Sequence, residues 1–179
     1  NLIAIDEAHC ISQWGYDFRP PYLKVKDLRT ILPGKPILAL TATATAFVKE
    51  DIVQKLEMKE PQVFVKSFAR RNLSYVVFDL EDKHKKLIEI VNNVKGCGLV
   101  YVRNRRETAE IAHFLQRNGI AADFYHAGIE KELRFKKQED WKKDVIRVMV
   151  ATNAFGMGID KPDVRFVIHL DLPDSLEAY

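Results

Sequence analysis

The feature that most constrains this chain is an alternation. Short runs rich in Val, Ile and Leu recur along it, separated by longer stretches whose apolar residues fall at helical spacing. The runs predict strands at 2–5, 37–41, 63–68, 75–80, 99–102, 122–125, 148–151 and 166–170. The stretches predict helices over 23–32, 46–56, 83–94, 106–118 and 131–141. Strands that are apolar at nearly every residue are buried on both faces. Parallel pairing needs a crossover long enough to hold a helix, which is what the alternation supplies. The fold class is therefore α/β, with parallel sheets and flanking helices.

The strands are unevenly shared. Five of the predicted runs follow Ser74, enough for a complete small sheet, and only three precede it. The polar stretch Phe68-Ala69-Arg70-Arg71-Asn72-Leu73 reads as a linker, giving an incomplete first lobe over 1–67, a linker over 68–73 and a second lobe over 74–179. Asn1 leads straight into a strand, and Pro173-Asp174-Ser175 has the character of a helix start close to the end of the chain. The expectation is a piece of a longer protein, with its second lobe also cut short.

Composition narrows the classes. With 47% hydrophobic and 30% charged residues the chain is neither disordered nor fibrous. Its 28 basic and 25 acidic residues leave +3, a balance that neither announces nor excludes a nucleic-acid partner. No apolar run approaches the ~18–20 residues of a membrane helix, so no membrane partner is expected. Cys10 and Cys97 stand far apart without ligand spacing, which suits a reducing compartment: bacterial cytoplasm, or the nucleus in a eukaryote. The five His are scattered, and no G-x-S-x-G elbow occurs.

Chemistry-bearing residues gather after the predicted strands. Asp6-Glu7-Ala8-His9 follows the first, where acidic side chains point into the ligand crevice of a parallel sheet. One carboxylate could hold Mg²⁺ through water and the other activate an attacking water, or the pair could simply be an acidic loop. Cys10 to Pro21 packs Trp14, Tyr16, Phe18 and Arg19 into one segment, read as an exposed loop. Its aromatics serve either as a packed plug or as stacking platforms for bases. Thr41, Thr43 and Thr45 after the second strand offer hydroxyls to the neighbouring acidic loop, an N-cap to the following helix, or both. Later strand ends carry Arg103-Asn104-Arg105, Tyr125-His126-Ala127-Gly128, and the Thr152–Asp160 stretch with Gly156 and Gly158. Small residues and glycine there permit close backbone approach to a phosphate or sugar. The lysine runs at 83–86 and 136–143 read as solvated helix faces.

These stretches, D-E-A-H-C-I-S-Q-W-G-Y-D-F-R-P, A-L-T-A-T-A-T, S-F-A-R-R-N-L-S-Y, Y-H-A-G and V-A-T-N-A-F-G-M-G-I-D-K-P-D-V-R-F-V-I-H, occur in the order of the RecQ family of superfamily 2 ATP-dependent DNA helicases, which the chain resembles. The resemblance implies two RecA-like lobes that use ATP and Mg²⁺ to move 3′-to-5′ along single-stranded and partly duplex DNA. It implies that Asp6 coordinates Mg²⁺ through water, that Glu7 is the base for hydrolysis, and that His9 relays nucleotide state. Ser12, Gln13, Trp14, Phe18 and Arg19 become the DNA-sensing loop, and Thr41 and Thr43 the interlobe coupling motif. Arg105, Thr152, Gly156 and Gly158 contact DNA, and Asp160 approaches the nucleotide ribose.

Some positions depart from the family pattern. Tyr16 stands for a usual His, Arg71 for a frequent Pro and Asn104 for a usual Ser. No G-x-x-x-x-G-K-[ST] phosphate loop and no arginine-finger motif lie within these residues, so the chain alone is expected to be inactive. Zinc would belong only to a domain outside it. Two other readings account for part of the pattern: a nucleotide-independent nucleic-acid-binding module built on Arg103, Arg105 and Arg106, and an unrelated doubly wound enzyme with Asp6 and Asp160 as metal ligands.

Overall fold

The computed structural model describes residues 2–13, 17–67, 69–156 and 159–173. The chain divides into two compact units, one carried by residues up to Ser74 and the other by Tyr75–Pro173.

In the first unit β1 (Ile3–Ile5) and β2 (Ile37–Ala39) pair in parallel, with Ile3 opposite Ile37 and Ile5 opposite Ala39. A buried 3-10 turn, Ala8–Ile11, follows β1. The predicted helix over 23–32 is instead a 3-10 helix, Pro20–Asp27, running into a single α-turn, α1 (Leu28–Ile31). Pro20 and Pro21 open it, where their missing N–H groups cost nothing. Then α2 (Ala46–Lys55) is capped by Thr45, whose hydroxyl accepts from the Val48 N–H at 3.3 Å. Ile3, Ile5, Ala8, Ile11, Val48, Ile52 and Leu56 form its core.

The second unit is a four-stranded parallel sheet in the order β4-β5-β3-β6, from β3 (Cys97–Tyr101), β4 (Ala122–Tyr125), β5 (Val148–Ala151) and β6 (Val164–His169). Alternate residues of β5 face opposite ways. Val148 and Val150 join Leu87, Val91, Ile111 and Leu115 of α3 (Lys83–Asn93) and α4 (Arg105–Arg117) in one core. Met149 and Ala151 join Leu99, Tyr125 and Trp141 in a second core, Trp141 coming from α5 (Lys131–Lys142). This is why the β5 sequence is apolar at every position. Asp82 and Asn104 cap α3 and α4, accepting from Lys85 and Glu107 N–H groups at 2.9 Å.

Three further expectations are corrected. Residues 63–67 and 75–80 form no strand and are exposed, with Phe64 86% accessible. Their composition is strand-like, yet among the described residues no strand forms a ladder with them, and a ladder needs a partner for its N–H and C=O groups. Phe68 lies outside the described residues. The segment after the D-E-A-H motif is not wholly exposed, because Cys10, Ile11 and Ser12 are buried. Nor is the 136–143 lysine run a solvated face throughout: Lys137 is buried, paired with Asp123 and set over the Phe124 ring at 4.2 Å.

Candidate functional site

Asp6 and Glu7 leave the carboxyl end of β1 as exposed side chains. Asp6 Oδ1 accepts the Glu7 N–H at 2.9 Å. Glu7 takes a left-handed conformation (φ 49°), turning the chain sharply into the buried 3-10 turn. The Ala8 N–H then donates to the Leu40 carbonyl at 2.9 Å, stitching this loop to the end of β2. His9 is buried at the junction. Its Nδ1 lies 3.3 Å from Glu7 Oε2 and 3.0 Å from Thr41 Oγ1, so one ring nitrogen faces the carboxylate and the hydroxyl together. Thr41 Oγ1 in turn accepts the Thr43 N–H at 3.3 Å. Parallel pairing of β1 with β2 brings these two strand ends together, so Glu7, His9, Thr41 and Thr43 form one connected series.

Beyond them, Ser12 is fully buried and donates its N–H to the His9 carbonyl at 3.0 Å. Gln13 is exposed and Phe18 half-buried. The exposed Arg19 guanidinium donates from Nε to Asp17 Oδ2 at 2.9 Å, and its backbone N–H to the Cys10 carbonyl at 2.8 Å. Burial raises the Cys10 thiol above its ordinary range, against the pull of Arg19, and keeps it protonated at neutral pH. Trp14 lies outside the described residues.

In the second unit the parallel strands bring their carboxyl ends to one edge. Arg105 starts α4, exposed and with no carboxylate partner among the described residues. It sits beside the His126–Gly128 loop, where a Cβ on Gly128 would come 3.1 Å from its Nη1. His126 Nδ1 accepts the Gly128 N–H at 3.2 Å. Burial lowers the His126 pKa, and the positive charges of Arg105 and Lys137 lower it further, so the ring is neutral at neutral pH. Arg103 and Arg106 are engaged internally, with the Leu172 carbonyl at 3.1 Å and Glu110 at 2.7 Å.

After β5, the Phe155 N–H closes a turn onto the Thr152 carbonyl at 3.1 Å. Gly156 has φ 119°, and a Cβ there would meet the Tyr101 hydroxyl at 2.7 Å, so only glycine fits. Asp160 is exposed, and Gly158 lies outside the described residues.

Two cation sites can be tested against this geometry. One Asp6 oxygen is taken by a backbone N–H and the side chain is exposed. That fits an ion held chiefly by water and phosphate, as Mg²⁺ is. Among the described residues Cys97, Asp144 and Asp163 also group their ligand atoms within 4.8 Å. There the Lys161 ammonium already bonds both carboxylates, at 2.8 Å (Asp144) and 3.0 Å (Asp163).

Residues 82–179, which include this second edge, match the model of the helicase conserved C-terminal domain. The chain belongs to that family. Over its whole length it is 44% identical to the ATP-dependent DNA helicase RecQ of Pasteurella multocida, of which it covers 28%. It is 46% identical over 99% of its length to RecQ of Bacillus subtilis, covering 30% of that protein. To the ATP-dependent helicase SGS1 of Saccharomyces cerevisiae it is 45% identical over 99% of its length, covering 12%. The chain thus spans under a third of these curated relatives.

The helicase fold is seen in solved structures as well. A Saccharomyces cerevisiae Dbp5 variant bound to RNA and ADP BeF3 matches with a TM-score of 0.75 at 17% identity, over 98% of this chain and 46% of that one. The Mycobacterium smegmatis helicase Lhr bound to ssDNA and AMP-PNP matches at 0.67 and 22%, over 94% of this chain and 24% of that one.

Two residues of the helicase domain went unnoticed in the sequence. Tyr101 donates its hydroxyl to the Phe155 carbonyl at 2.9 Å and stacks on His169. The Lys161 side chain is almost wholly buried. The apolar pattern marks Tyr101 only as a strand residue; Asp163 stands two residues from Lys161, but Asp144, 17 residues away, is brought in only by the fold.

Proposed function

We propose that the chain is part of the motor core of an ATP-dependent 3′-to-5′ DNA helicase, coupling ATP hydrolysis to movement along single-stranded DNA and to duplex unwinding. Residues 1–67 serve as the C-terminal part of a first RecA-like lobe, 68–73 as linker and 74–179 as the second lobe. The observation that carries this reading is the His9 ring facing Glu7 Oε2 and Thr41 Oγ1 together. A general base must be held in place, and in a motor its position must also respond to the parts that move. His9 does both, since any shift of the Thr41 segment is felt at the carboxylate. The relatives named above, all called ATP-dependent helicases, support the same reading.

In this reading Glu7 accepts the proton of the attacking water, and Asp6 would hold Mg²⁺ through water, the ion supplying neutralisation of phosphate charge when bound. Ser12, Gln13, Trp14, Phe18 and Arg19 sense DNA, Arg105, Thr152, Gly156 and Gly158 hold its backbone, and Asp160 meets the ribose. The buried Ser12 acts by shaping its loop, through its N–H bond to His9.

In the full-length protein, Glu7→Gln should lower DNA-stimulated ATPase by about 10²–10⁴-fold, the usual worth of a positioned base, while single-strand affinity is kept. Retention of more than about a tenth of the rate contradicts the base role.

A further inference from the structure

The described residues between Thr152 and Lys161 are fastened at two points, Phe155 and Lys161, and both use the same tryptophan. At the first, Phe155 is 2% accessible and packs edge-on against Tyr125 (4.7 Å between centroids) and Trp141 (5.3 Å), while its carbonyl takes the Tyr101 hydroxyl. At the second, the Lys161 side chain is 4% accessible. Its ammonium donates to Asp144 Oδ1 at 2.8 Å, to Asp163, and to the Lys142 carbonyl at 3.2 Å, and lies 5.5 Å from the centre of the Trp141 ring. Trp141 itself is fixed by its indole N–H to the Gly98 carbonyl at 3.3 Å.

A buried ammonium is costly unless its donors are satisfied, and here two carboxylates and a carbonyl take them. Asp144 reaches this position from a left-handed conformation (φ 60°) just past α5, one that a residue with a Cβ adopts only against a steric cost. Burial alone would lower the Lys161 pKa, and the bonds to Asp144 and Asp163 outweigh it, so the group stays charged well above neutral pH. The cluster of Cys97, Asp144 and Asp163 has a metal-like arrangement because its cation is this side chain.

We propose that Lys161 is a positioning residue: by seating its ammonium between Asp144 and Asp163 against Trp141, it fixes the Asp160 end of the loop, as Phe155 on the same tryptophan fixes the other. The consequence for nucleotide rests on the reading of Asp160 given above. The two fastenings divide the loop, with Thr152 and Gly156 beside the Phe155 point and Asp160 adjoining Lys161. Loss of the second fastening frees Asp160 and leaves the DNA-facing half in place.

The test compares Lys161→Met, Asp144→Asn and Asp160→Ala in the full-length protein. In Lys161→Met, amide exchange over residues 159–163 should rise at least about tenfold while Val148–Ala151 is unchanged, because the opening is local. The KM for ATP should rise about fivefold or more with kcat within about twofold, the pattern of lost ground-state binding, and single-strand Kd should hold. Asp144→Asn, which removes only one of two carboxylates at an exposed position, should shift both readouts in the same direction by less. It also serves where Lys161→Met fails to fold. Unchanged exchange in both variants overturns the proposal. So does a raised KM in Asp160→Ala with none in the Lys161 and Asp144 variants. If Asp160→Ala itself leaves KM unchanged, the ribose reading is what fails, and exchange alone decides whether Lys161 fixes the loop.

Discussion

The two units hold their strand-end residues in different ways. In the Tyr75–Pro173 unit, β5 lies between β3 and β4 and is buried at all four residues, feeding two cores. The loops at its carboxyl edge hang from a sheet packed on both faces. Among the described residues of the first unit the sheet has two strands and one core, and Leu38 in β2 and Leu40 just after it are exposed. Glu7, His9 and Thr41 are held there mainly by polar contacts: the Ala8 N–H to Leu40, and the His9 ring between a carboxylate and a hydroxyl. In the second unit polar bonds are laid over a sheet packed on both faces, and in the first they are laid over a single core that includes Ala8 and Ile11. Sites of the latter kind lie at the low-stability end of a structure and respond more readily to what binds beside them.

The contrast can be broken most forcefully in the cores. Trp141→Ala should cost about 3–5 kcal/mol, a typical loss for a buried aromatic, whereas Leu38→Ala should stay within about 0.5 kcal/mol as an exposed change. Urea denaturation of the 179-residue chain measures both, and equal losses would erase the distinction. Next comes Gly98→Ala in β3. A Cβ there would lie 2.2 Å from the Phe166 ring, so overpacking should cost about 1–3 kcal/mol by the same measurement. The helix caps, by contrast, should make the units alike: Thr45→Ala in the first and Asn104→Ala in the second should each cost about 1 kcal/mol.

The smallest effect is that of pH on the second unit. Burial lowers the His169 pKa, so the folded state resists its protonation. The unfolded chain then binds the proton more readily. Stability is complete above the ordinary histidine value of about 6.5 and falls as pH drops through it toward the lowered folded value. Asp163 adds a second loss at lower pH. The hydrogen bond from Lys161 lowers its pKa, so its contribution is present above the ordinary Asp value and is lost as pH falls through the folded one. His169→Gln should lessen the loss of stability as pH falls below about 6.5, with His126, also held below its ordinary value, keeping its own share, and leave the more acidic limb in place.

Much of the fold was legible from residues. Val148–Ala151 reads as a doubly buried strand because it has no polar position, and it is one. Helices α2 to α5 lie within a residue or two of their periodic stretches. Residues 63–67 and 75–80 misled because β-propensity describes a residue's fit to a sheet and not the existence of a neighbour. The buried Cys10–Ser12 turn misled for a related reason: its hydrogen bonds run to Glu7 and His9 in a tight 3-10 turn that polar-apolar pattern does not encode.

At the site, the carboxylates after β1 and hydroxyls after β2 could be placed from strand order. The His9 contact across 32 residues needed the actual register. Lys161 passed unnoticed because Asp144, 17 residues away, is brought to it only by the fold, and Asp163, two residues on, reads by itself as an ordinary neighbouring charge.

The central claim is that His9 ties the Glu7 carboxylate to Thr41. A double-mutant cycle on DNA-stimulated ATPase in the full-length protein, with His9→Ala, Thr41→Ala and both together, tests it most directly. A shared connection predicts non-additive losses, with an interaction energy of about 0.5–3 kcal/mol and the double variant little worse than the poorer single one. Losses that add within about 0.5 kcal/mol would mean that the two residues act separately, and the claim would be wrong.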